Sequence, residues 1–108
     1  MQTVPMKRIT IIIDETVKHR ILQEILALGA TGYTEISAHG KGDRGIRPRH
    51  GEPPNAKIEV IAPAETAHCI LEHIAQNYFD KYASIAFLSD VEVVRGPKFA
   101  AKSNPVHS

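Results

Sequence analysis

The chain has 108 residues, 43% of them hydrophobic and 23% charged, with 13 Lys and Arg against 12 Asp and Glu, one cysteine and no tryptophan. That size fits one domain with a packed core, and the apolar fraction lies well above that of disordered chains. A formal charge of +1 speaks against a general nucleic-acid binder, a lone Cys69 against a disulfide framework or a thiolate zinc site, and the short apolar run at residues 9–13 against a membrane span.

Residues 7–13 are β-branched and apolar, broken by Thr10, and predict a buried central strand. Asp14 is placed to cap a helix in which Val17, Ile21, Ile25 and Leu28 share one face, and Gly29 stands where a left-handed residue ends a helix. Residues 31–39 alternate and predict a second strand. Residues 40–56 show no apolar period and carry Lys41, Arg44, Arg47 and Arg49 among glycines and prolines, which predicts a long basic loop. Loops of about seventeen residues are uncommon in compact domains and usually functional. Residues 57–62 return to strand character, with Ile58, Val60 and Ala62 on one face and Lys57, Glu59 and Ile61 on the other. Pro63 suits a first helical turn. Over residues 64–79 the positions Ala67, Ile70, Leu71, Ile74 and Tyr78 form a stripe, and Cys69 beside it is expected to be buried or half-buried. Residues 85–94 read as the last strand.

The order βαβ, loop, βαβ predicts an α+β, ferredoxin-like βαββαβ sandwich over residues 1–96, with 97–108 as a flexible tail. Both helices would lie on one sheet face. Strands carrying Ile11, Ile13, Ile36 and Ile58 would leave an apolar patch exposed in a monomer, so an oligomer is expected.

The segment richest in chemistry is Gly29-Ala30-Thr31-Gly32-Tyr33-Thr34 followed by Gly40-Lys41-Gly42-Asp43-Arg44-Gly45-Ile46-Arg47. Gly40 and Gly42 let backbone N–H groups approach phosphate oxygens, and Arg44 and Arg47 offer planar, permanently charged donors. Pattern alone favours a solvated basic loop whose glycines serve turns, and neither common nucleotide fingerprint is present.

The two motifs, in this order, with Asn77-Tyr78-Phe79-Asp80-Lys81-Tyr82-Ala83-Ser84-Ile85 before the last strand, resemble the PII superfamily, in particular PII-like regulators of bicarbonate transporters. The resemblance covers residues 7–96. It implies a cytoplasmic, non-enzymatic signalling protein, a homotrimer with adenine nucleotide in the clefts between neighbours, and residues 40–56 as the flexible T-loop that contacts a partner. The partner would be an inorganic-carbon transporter or a carbon-fixation component. Carried over by position, Gly40, Lys41, Gly42, the Asp43 backbone, Arg44 and Arg47 would hold phosphates, with Arg95 as an extra contact. Thr31 would reach adenine, Ile61 would pack near the base, and Ser84 and Ile85 would line the cleft from the other side. The chain lacks the Gly-x-Gly-Lys-Ile-Phe-Val run of nitrogen-signalling members, a tyrosine in residues 40–56 and paired C-terminal cysteines. The resemblance therefore implies AMP, ADP or cyclic AMP, with bicarbonate as a second ligand, rather than magnesium-ATP, uridylylation or a redox-controlled tail.

Other readings fare less well. The six histidines are scattered, and His68 and His73 do not share the i, i+4 face of a helical metal pair; only His39 neighbours the basic loop. An acylphosphatase-type hydrolase, the enzymatic alternative, would need an anion-binding loop where the chain carries Asp14 and Glu15. An RNA-recognition motif would need more aromatics than Tyr33 on the middle strands.

Overall fold

The computed structural model describes residues 1–38 and 55–99. Strand β1 runs from Val4 to Asp14 and leads through a 3₁₀ turn, Glu15–Val17, into helix α1, Lys18–Ala27. Strands β2, Thr34–Ala38, and β3, Asn55–Ala62, follow, then helix α2, Ala64–Tyr78, strand β4, Ile85–Val93, and a short helix α3, Gly96–Phe99. The four strands form one antiparallel sheet in the order β2-β3-β1-β4. This is the ferredoxin-like α+β architecture expected from the chain order, with the isoleucine-rich β1 in the interior.

Alternation along β1 decides which face is covered. Ile9, Ile11 and Ile13 are fully buried with Ile58 and Val60 of β3 and with Ile21 and Ile25 of α1 and Ala67, Ile70, Ile74 and Tyr78 of α2. Ala86 and Leu88 of β4 pack against the same cluster from its edge. Burial of each such side chain contributes roughly 1.5–3 kcal/mol, so this layer dominates the stability of the domain. The other sheet face is covered by neither α1 nor α2. Register places Ile85 beside Ile12, Phe87 beside Thr10, and Ile36 beside Lys57 on that open side.

The apolar open face was expected from Ile11, Ile13, Ile36 and Ile58, but three of these four lie under the helices at 0% exposure. A one-residue change of parity moves a side chain to the opposite face, and the sequence does not state which parity meets the helices. Ile36, Phe87 and Ile85 are the exposed members, with Ile12 and Ile61 half-buried beside them.

Local signals mostly decide the ends of elements. Asp14 caps the turn after β1, its Oδ1 accepting from the Thr16 N–H and hydroxyl, both at 2.9 Å. Gly29 ends the first helical unit at φ 116°, a backbone conformation costly to any residue with a Cβ. Leu28, past the end of α1, is exposed, while Leu22 supplies the buried contact instead. Strand β2 starts at Thr34 rather than residue 31, and β3 begins at Asn55, inside the stretch expected as loop. Cys69 is exposed, not part of the core. Residues 96–99, expected to belong mostly to the tail, form α3.

Candidate functional site

The open face, near the junction of β1 with β3, carries a pocket of about 240 Å³. Strand alternation supplies Arg8 from β1 and Glu59 and Ile61 from β3, all on the face opposite α1 and α2. The segment after Gly29 adds Thr31 and Tyr33, which stay outside β2 and turn toward the hollow. Lys98 and Phe99 of α3 complete the lining. A Cβ built on Gly32 in the same wall would meet nothing within 4 Å.

The charges in this wall are partly committed. Arg8 is half-buried, its Nε donating to Ser89 Oγ at 3.1 Å, which fixes the guanidinium against β4. The Glu59 carboxylate lies 3.7 Å from Lys57 Nζ, a loose ion pair that leaves acceptor sites open. An apolar contact at Ile61, a hydroxyl at Thr31, a carboxylate and two cations form a mixed wall able to hold a polar heterocycle with hydroxyls and negative charge. The volume falls below the roughly 300–1,000 Å³ of pockets that enclose a whole small ligand.

Two sequence-identified residues, Thr31 and Ile61, are thus brought together. Ser84 and Ile85 are not in this pocket. Ile85 pairs with Ile12 whereas Ile61 pairs with Arg8, four residues or roughly 13 Å along β1. Arg95 is exposed just before α3, and its carbonyl accepts from the Lys98 N–H at 3.0 Å. Gly40, Lys41, Gly42, Asp43, Arg44 and Arg47, with His39, lie outside the described residues. Sequence reasoning missed Arg8, Glu59, Lys98 and Phe99. Charged residues at alternate positions of apolar strands were the available signal for the first two, but only strand register reveals which neighbours they meet.

A second, shallower hollow of about 730 Å³ lies between Met6, Ala64 and Val91. Lys7 there is engaged by Asp90, whose carboxyl the hydrogen bond and the charge of that lysine hold below the usual range. Glu92 accepts from the Thr3 hydroxyl. The hollow's ionic groups are satisfied internally, and its larger volume does not make it the better site. Among the described residues no three His, Cys, Asp or Glu side chains cluster to hold a metal, and no helix is long and apolar enough to cross a membrane.

Residues 6–98 match the family model described as nitrogen regulatory protein P-II. The chain belongs to that family. A PII-like signalling protein from Thermus thermophilus is 37% identical to this P-II domain, with a TM-score of 0.79 over 92% of this chain and 99% of the other. CPII from Thiomonas intermedia K12 is 26% identical in a structure bound to ADP and bicarbonate, with a TM-score of 0.79 over 91% of this chain and 97% of CPII. In a structure bound to ADP, AMP and bicarbonate the same protein gives a TM-score of 0.80 over 92% and 97%, again at 26% identity. The hydrolase alternative gains no support from the P-II fold: the turn between β1 and α1 is acidic, and Asp14 there serves as a helix cap.

Proposed function

We propose that this P-II protein is a trimeric sensor of adenine nucleotide, AMP or ADP with cyclic AMP as a further candidate, which takes bicarbonate as a second ligand and reports occupancy through residues 40–56. The observation that carries the reading is the meeting of Thr31 and Ile61 in one pocket, within a fold shared with a protein that binds ADP and bicarbonate.

The pocket is sized for part of a nucleotide, so the phosphates must find their donors elsewhere. Gly40, Lys41, Gly42, Asp43, Arg44 and Arg47 supply them in this reading, through backbone N–H groups and bidentate guanidinium contacts. Ser84 and Ile85 stand too far along β1 to serve the pocket of their own chain. A neighbouring copy seated on the apolar open face brings its own Ser84 and Ile85 within reach, which is why the site calls for an oligomer. Phosphate neutralises Arg44 and Arg47, which otherwise repel each other, and so biases the loop between two arrangements. The loop then offers or withdraws a surface for a partner, an inorganic-carbon transporter or a carbon-fixation component. Differential binding suffices and no bond need be made or broken.

Titration calorimetry with ADP on the Arg44→Ala, Arg47→Ala double variant tests this. Affinity should fall by about 100-fold or more, the scale of two lost charge-assisted contacts, while light scattering still gives a trimer. Bicarbonate should tighten ADP binding to the unmodified protein. ADP bound equally well by the double variant would overturn the assignment.

A further inference from the structure

Among the described residues, Phe99 is a large apolar side chain that the core does not claim. It is half-buried, yet it does not join the core cluster around Tyr78 and the isoleucines of β1. Helix α3, held by the Lys98 N–H on the Arg95 carbonyl at 3.0 Å, turns the chain back after β4 so that Phe99 enters the pocket of Thr31 and Ile61. The Lys98 ammonium lies 5.6 Å from the centre of the Phe99 ring. An exposed lysine is displaced easily from such a position, because a cation–π contact at an exposed site is weak. Half-buried and bordering the pocket, the ring keeps part of its surface open to a ligand there.

Resting on the nucleotide reading above, we infer that Gly96–Phe99 is a binding element of the site, with Phe99 as the stacking platform for the base and Lys98 as a cation released toward the adjoining phosphate. Base and ring are both flat with polarisable faces. Stacking of this kind is independent of the base's hydrogen-bonding edge, so Thr31 supplies identity and Phe99 supplies hold. Tyr33, the other ring on the pocket, is 42% exposed and provides the internal comparison.

The test uses full-length chains carrying Phe99→Leu, Phe99→Trp or Tyr33→Leu, titrated with ADP and with the fluorescent 2-aminopurine riboside diphosphate. Loss of base stacking on an aromatic corresponds to roughly 5- to 150-fold in affinity. Phe99→Leu should weaken ADP by about 5-fold or more and relieve the quenching of bound 2-aminopurine. Phe99→Trp should bind at least as tightly as the natural protein, and Tyr33→Leu should weaken ADP less than Phe99→Leu and leave the quenching in place. All three variants should melt within a few degrees of the natural protein, since neither ring belongs to the core cluster. Unchanged ADP affinity and quenching in Phe99→Leu overturns the stacking role while leaving the sensor reading intact, as does a loss confined to Tyr33→Leu. No ADP binding by the natural protein would overturn both.

Discussion

Tyr78 closes α2 with its ring in the core and its hydroxyl between two charged groups. Arg20 Nε donates to that oxygen at 3.0 Å, and the hydroxyl donates to Glu24 Oε1 at 2.6 Å. His73 Nε2 lies 2.8 Å from the same carboxylate oxygen, so one carboxylate ties α1 to α2 at two points. Burial pushes the Glu24 carboxyl up, but hydrogen bonds from Tyr78 and His73, with the charges of His73 and Arg20, outweigh it and hold the group below its ordinary 4.5. A carboxyl whose folded value is depressed contributes stability above its unfolded value and loses that contribution as pH falls through the folded one. Thermal melts from about pH 6 down to about pH 3 should therefore show a decline below about pH 4.5 that is smaller in Glu24→Gln. Tyr78→Phe keeps the ring and removes the hydroxyl's bonds to Arg20 and Glu24, and should cost about 1–2 kcal/mol at neutral pH by chemical denaturation. The stripe containing Tyr78 was legible from helical spacing. Its partners were not, because Arg20 and Glu24 stand 58 and 54 positions away in the chain, and only the packing of α1 beside α2 joins them.

Glycines mark the ends of elements, and two close together play different parts. Gly29, at φ 116°, should not accept a side chain: Gly29→Ala is expected to cost about 1–2 kcal/mol. Gly32, three positions on, has open space where a Cβ would go, so Gly32→Ala should change folding stability by less than about 0.5 kcal/mol. Denaturant melts of the two variants side by side check the contrast. The first of these positions was readable as a helix end followed by a strand. Strands β1 and β3 were also plain, because their isoleucines and valines suit a pleated, covered surface. Residues 31–33 misled for a physical reason: they keep an alternating pattern while serving as a pocket wall rather than as strand. The turn at 96–99 misled in the opposite way, since Pro97 and few large apolar side chains resemble a tail, and nothing local tells Phe99 where to go.

Across the molecule the open sheet face is the surface on which the proposed trimer rests. Phe87 and Ile36, 45% and 56% exposed, flank the central strands, and the trimer reading places a second copy there. Phe87→Lys should shift the protein toward monomer in light scattering and weaken ADP in parallel, because a lone chain cannot bring its Ser84 and Ile85 to its own Thr31. The existence of this uncovered face was legible from two helices serving one sheet; its membership was not, because parity is settled only by three-dimensional packing. One consequence follows from where the pocket's residues sit in the chain. Arg8, Thr31, Ile61 and Phe99 reach it from the first strand, from the approach to the second, from the third and from beyond the fourth. No fragment holding half the polypeptide could retain the whole pocket, so a ligand held there would be linked to unfolding of the entire domain. In the sensor reading, a nucleotide at about one hundred times its dissociation constant adds about 2.7 kcal/mol to the unfolding free energy of the entire domain, so the melting point itself gauges occupancy.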